Sequence, residues 1–172
     1  MRGRPALHRL FAGLACSATL VATTSAVAEP RVAGWIERIR LGKEGTVVSA
    51  KLDTGALTSS LHAADVRWFD RDGEKWVAFD VTGESGRTVR FERKVVRISN
   101  VKRQGSDSQK RPTVVMEVCL GGLSGATEVN LADRTGLKYE FLVGRRFLAD
   151  RFIVDSARMN LVAPDCPAAM KQ

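Results

Sequence analysis

From Arg31 onward, apolar and polar residues alternate in short runs separated by turn residues. Segments Arg31 to Ile39, Thr46 to Leu52, Lys75 to Val81, Thr88 to Val96, Thr113 to Leu120, Thr127 to Leu131, Tyr139 to Val143 and Phe152 to Asp155 read as strands. Leu57 to Ala63, hydroxyl-rich and then apolar, reads as a further strand turning back after a break at 53–56. Asp72-Gly73, Thr82 to Gly86 and Gly121-Gly122 supply other breaks. Helical signal is confined to the short stretch from Gly144 to Asp150. Many short strands at this spacing predict a mainly β domain, a barrel or a sandwich. No repeat, long linker or low-complexity block divides it, so residues 29–172 read as a single domain.

The first 28 residues have a different pattern. Arg2, Arg4 and Arg9 precede an apolar stretch from Leu10 to Ala22, and Ala26-Val27-Ala28 stands before Glu29-Pro30. That is the layout of a secretory signal peptide cleaved after Ala28, which predicts export to the periplasm or beyond the cell. The apolar stretch is shorter than the ~20 residues a spanning helix needs, so no stable membrane anchor is expected. Gly13-Leu14-Ala15 before Cys16 fits a lipoprotein signal poorly. Removing this segment takes three basic and no acidic residues, so the net charge falls from +8 to +5. The excess includes a run at Arg87, Arg90, Arg93, Lys94, Arg97, Lys102, Arg103, Lys110 and Arg111. A solvated face explains the run, with an acidic substrate or envelope surface as the functional alternative. Few aromatics interleave with it, so no nucleic-acid partner is expected.

The chemistry concentrates at Asp53-Thr54-Gly55-Ala56. Asp-Thr-Gly is a good recipe for an ordinary turn after a strand, and it is also the active-site turn of an aspartic protease. In that chemistry one carboxylate activates water while a second, protonated, polarises the carbonyl. The motif occurs once, so a second copy must come from another subunit. About ninety residues on, Phe141-Leu142-Val143 stops at Gly144 and is followed by Arg145-Arg146-Phe147-Leu148. An apolar strand ending in Gly suits close packing against the catalytic loop.

Together these segments resemble the retropepsins, and most closely the bacterial retropepsin-like aspartic proteases often described as ATP-dependent zinc proteases. The likeness rests on Lys51 to Ala56, Thr58 to Ala63, Arg111-Pro112, Leu131 to Arg134, and Leu142 to Leu148 with Val154-Asp155, and covers roughly residues 32 to 163. It implies a single-lobe acid-protease barrel with one short helix after the apolar-Gly strand, working as a homodimeric endopeptidase on peptide or protein substrates. Asp53 is then the catalytic residue, Thr54 braces the two loops, Gly55 brings its N–H to the carboxylate, and Ala56 lines the cleft. Thr58, Ser59 and Ser60 either bond substrate or stabilise the turn. The polar tip at Gln104, Gly105, Ser106 and Asp107 matches the position of a substrate-covering flap or is an ordinary exposed hairpin. Leu142, Val143, Gly144 and Arg145 are structural beside the site, with Asp133 or Asp150 as candidate partners for Arg145. Asp133-Arg134 and Asp155 read as anchors at a loop and a strand end.

No His-Glu-x-x-His, Cys-x-x-Cys or phosphate-binding Gly-x-x-x-x-Gly-Lys-Ser/Thr occurs, and His62 is the one histidine after residue 28. No metal or other cofactor is therefore expected, which sets a zinc hydrolase behind the aspartic protease. A peptide- or protein-binding module that keeps the fold without the chemistry is the main alternative. Cys119 and Cys166 remain after cleavage, either as a disulfide or, for Cys119, as a small buried hydrophobe.

Overall fold

The computed structural model describes residues 29–103 and 106–166; the expected signal peptide and Gln104-Gly105 lie outside them. Ten strands and one short helix follow in the order β1 (Arg31–Leu41), β2 (Thr46–Leu52), β3 (Ser59–His62), β4 (Ala64–Arg71), β5 (Glu74–Thr82), β6 (Thr88–Arg103), β7 (Ser106–Leu120), β8 (Leu123–Ala132), β9 (Phe141–Val143), α1 (Arg145–Leu148) and β10 (Phe152–Met159). The expected mainly β fold with a short helix after the apolar-Gly strand is what forms.

Six strands close into a ring in the order β1, β2, β9, β3, β8, β7, completed where Arg40 and Leu41 of β1 pair with Cys119 and Val118 of β7. Alternation along these strands sends Ile39, Leu41, Val48, Ala50, Leu52, Leu61, Val114, Met116, Val129, Leu131, Phe141 and Val143 into one buried core. Period-2 side-chain alternation fixes register here, because a one-residue slip would turn these positions to solvent. From β7 the sheet continues through β6, β5 and β4 as a wing. Phe79 and Phe91 stack at its buried root, ring centroids 5.6 Å apart.

Strand β4 was not legible in the periodicity. Its sequence, ADVRWFDR, forms the sheet edge and is exposed almost throughout, so no burial imposes an alternating pattern. Its turn into β5 is the expected Asp72-Gly73, with φ of 52° and 76°, the double positive φ of a two-residue hairpin. The β6–β7 hairpin is longer than its apolar pattern suggested. Pro112 pairs with Ile98 of β6 just beyond the last residue that β8 reaches, Thr113, so β7 has one neighbour there and tolerates the missing N–H. The basic run is laced into ion pairs on the wing: Arg90 with Asp80, Arg93 with Glu44, and Lys94 with Glu74. That arrangement favours the solvated-face reading for these positions.

The C-terminal segment is fastened across β1. Glu37, fully buried, accepts backbone N–H bonds from Gly34 at 2.6 Å, Leu161 at 2.9 Å and Val162 at 3.3 Å. A buried carboxylate is tolerated when its oxygens are satisfied in this way. Cys119 on β7 and Cys166 are joined as a disulfide, with Cα atoms 5.9 Å apart, pinning the segment beside the ring seam. The bond closes a loop with a sequence separation of 47, for which chain entropy predicts about 4 kcal/mol of stabilisation. Cys119→Ser/Cys166→Ser should therefore unfold at clearly lower urea concentration than the oxidised protein. Equal midpoints would show that the segment is held without the bond.

Candidate active site

Parallel neighbours β2 and β9 deliver the two sequence motifs to the same end of the ring. Leu52 pairs with Val143, and the Asp53 backbone N–H donates to Val143 O at 2.8 Å. The loop from Asp53 to Thr58 thus leaves β2 beside the strand that runs into Gly144. Its first turn is closed by Ala56 N–H to Asp53 O at 3.2 Å, and Gly55 N–H donates to Asp53 Oδ1 at 3.1 Å. This bond orients the carboxylate as expected, but Gly55 does not use a left-handed conformation. What the position requires is room, since a Cβ there would stand 3.3 Å from Asp53 Oδ1.

Helix α1 seals the other side of the loop. Arg145 N–H donates to Ala56 O at 2.8 Å and Arg146 N–H to Leu57 O at 3.1 Å, so loop carbonyls satisfy amides that a helix start leaves open. Gly144 N–H donates to Ser59 Oγ at 3.0 Å. The Arg145 guanidinium reaches over the loop, with Nη1 donating to Thr54 O at 2.8 Å and Gly55 O at 3.2 Å. The acidic partner anticipated from sequence is replaced, as the group that places Arg145, by these carbonyls. The signal was too weak to read: backbone acceptors leave no trace in sequence.

The hydroxyl residues divide. Ser59 is fully buried and belongs to the Gly144 junction, so its hydroxyl is not offered to solvent or to a bound peptide. Thr58 Oγ1 accepts from Arg97 Nη2 of β6 at 3.2 Å. Thr54 and Gly55 are exposed, while Asp53 and Ala56 are half-buried. His62 ties β3 to the segments after β8: its Nδ1 accepts from the Arg134 backbone N–H at 2.9 Å, and its backbone N–H donates to Glu140 O at 2.7 Å. Of the tip residues, Gln104 and Gly105 lie outside the described residues, as do the side chains of Ser106 and Asp107.

Arg134 adds positive charge that sequence did not place at the site. Its Nε donates to Tyr139 O at 3.0 Å. Burial and the neighbouring Arg111 hold the Arg134 guanidinium below the usual arginine range, while the Asp53 carboxylate opposes that shift. Arg134 is therefore within electrostatic reach of both the Asp53 carboxylate and the Arg111 guanidinium. Among the described residues, no group of three His, Cys, Asp or Glu side chains is placed to hold a metal ion.

The geometry agrees with what the chain is similar to. It is 36% identical over 111 residues to a probable alpha-L-glutamate ligase of Shewanella pealeana, covering 63% of this chain and 24% of that protein. A protein of the same description from Desulfotalea psychrophila is 33% identical over 113 residues, covering 64% of this chain and 24% of its own length. The chain thus spans about a quarter of the length of the curated relatives it matches. Among solved structures, Lpg0085 of Legionella pneumophila, a protein of unknown function, matches with a TM-score of 0.67 and 30% identity, over 76% of this chain and 97% of that one. The model of the RimB-like family, described as retropepsin-like aspartic endopeptidase RimB, matches residues 32–164. The Asp53 loop, the β9–Gly144 junction and nearly the whole ring fall within that match, and the chain belongs to the RimB-like family of retropepsin-like aspartic endopeptidases.

Proposed function

We propose that this chain is an exported aspartic endopeptidase that acts as a homodimer, with Asp53 from each subunit forming the catalytic dyad. The observation that carries the reading is the Asp53 loop: a half-buried carboxylate oriented by Gly55 N–H, on a loop fixed by β9, α1 and Arg145. Two such carboxylates brought together share a proton because like charges repel. The ionised Asp53 takes a proton from a water held between the two, the water attacks the peptide carbonyl, and the protonated partner polarises the carbonyl oxygen. Proton transfer to the departing amine completes cleavage. Exposed Thr54 is free to brace the second loop. The Arg134 charge, within electrostatic reach of Asp53, favours peptides with acidic side chains.

Specific activity should rise with protein concentration and level off once the dimer is saturated, because half a dyad has no partner acid. A specific activity independent of concentration, from a protein that sediments as a monomer, rejects the shared dyad.

A second reading is a non-catalytic module that holds an acidic peptide against the same loop. It is favoured by the relatives described as glutamate ligases, in which a segment like this chain accompanies three times as much other sequence. Peptide binding without cleavage, unaffected by Asp53→Asn, would support it.

A further inference from the structure

Arg97, on the long β6–β7 hairpin, touches the Asp53 loop. Its Nε donates to Glu128 Oε2 on β8 at 2.9 Å, its Nη1 to Ser99 Oγ at 2.6 Å, and its Nη2 to Thr58 Oγ1 at 3.2 Å. Ser99 Oγ in turn lies 2.6 Å from Thr113 Oγ1, a fully buried hydroxyl on β7. The same Glu128 oxygen receives Arg146 of α1. A single guanidinium therefore meets β6, β8 and the catalytic loop, and shares a carboxylate with the helix that seals that loop.

These groups are partly exposed, with 39% of the Arg97 side chain and 32% of the Glu128 side chain accessible. Exposed ion pairs contribute little to stability. The planar five-donor fork of arginine instead supplies geometry, since it binds several acceptors in fixed directions. Thr58 is the last residue of the loop before β3. Beyond it the chain is locked by Ser59, and before it the loop is held by Arg145 and Arg146. The Arg97 contact therefore sets the side of the loop that faces the hairpin.

We propose that Arg97 is a positioning residue of the Asp53 loop, acting through the Thr58 hydroxyl and ordered by Glu128. It couples the setting of the catalytic carboxylate to the hairpin that carries Arg97 and Arg111. The proposal rests on the aspartic endopeptidase reading for its kinetic consequences, and on the loop contacts alone for its structural ones.

The test compares the wild-type protein with Arg97→Ala, Arg97→Lys, Thr58→Val and the Arg97→Ala/Thr58→Val double variant, assayed well below their unfolding temperatures. Loss of loop setting should lower kcat about tenfold in each single alanine or valine variant while KM changes less than about threefold. The double variant should be no worse than either single one, because both remove the same contact. Arg97→Lys should recover part of the loss, having charge without the fork. Amide exchange at Gly55 and Ala56 should quicken in Arg97→Ala and stay unchanged in the β1–β2 pair. Unchanged kcat and exchange, or fully additive losses in the double variant, would overturn the proposal. If cleavage is indifferent to Asp53→Asn, the endopeptidase reading fails separately, and exchange at Gly55 and Ala56 still decides whether Arg97 positions the loop.

Discussion

Asp53→Asn should abolish peptide cleavage while leaving the fold and its stability intact. Asparagine keeps an Oδ1 to accept the Gly55 N–H bond, which spans 3.1 Å in the native loop, so the turn has no reason to open. In the proposed homodimer the change occurs twice, so the proposed dyad would lose both the base that activates water and the acid that polarises the carbonyl. General acid–base catalysis contributes 10² to 10⁴-fold, so kcat/KM should fall by roughly 10⁴-fold or to background. Asp53→Ala should be equally inactive and also less stable by about 1 kcal/mol, since it removes the acceptor for Gly55 N–H. Peptide-library turnover, read beside thermal unfolding, checks both variants. Cleavage persisting in both would assign the activity to other residues.

The second large effect belongs to Gly144. A Cβ at this position would lie 2.7 Å from Thr58 C, 2.9 Å from Leu57 O and 3.0 Å from Leu57 C. All three are backbone atoms, so no side chain can swing away. The native φ of −86° is ordinary for any residue, and the requirement is therefore close approach alone. Relief means separating β9 and α1 from the Asp53 loop, which lengthens the amide bonds from Arg145 to Ala56 O and from Arg146 to Leu57 O. Gly144→Ala should cost about 2–3 kcal/mol, the range for overpacking at a rigid contact. For a domain of this size that lowers the unfolding temperature by roughly 6–12 °C. Activity should fall more steeply than folded fraction, because the displaced segment carries Asp53. A variant with wild-type unfolding and turnover would show that the junction yields without effort.

The Gly144 junction explains why part of this site could be read from sequence. Alternation through Val48, Ala50 and Leu52 forecasts a strand delivering Asp53, and the apolar run ending at Gly144 forecasts its tight neighbour. Both signals arise from burial, which constrains residue type strongly. The edge strand β4 escaped for the opposite reason: exposed on nearly every residue, it is under no such constraint. Arg97 was hidden differently, as one charge in a run that reads as a solvated face. Like its neighbours on the wing Arg97 pairs with an acid, but it also reaches Thr58 of the Asp53 loop, and only a three-dimensional register places it there. Arg145 shows the same limit, because its acceptors are main-chain carbonyls of Thr54 and Gly55. Charge patterning can suggest that a cation has a partner, but not that the partner is backbone.

The shared dyad makes a sharper prediction than loss of function. In it, a subunit carrying Asp53→Asn is folded and still able to pair, so it should poison a normal subunit by occupying the place of its partner acid. Wild-type protein held at constant concentration is mixed with increasing Asp53→Asn protein, allowed to exchange subunits, and assayed for peptide cleavage. The account predicts that activity falls toward zero as mixed dimers replace wild-type ones. Activity that stays at the wild-type level throughout, with subunit exchange demonstrated in the same mixtures, would contradict a dyad built from two copies of Asp53.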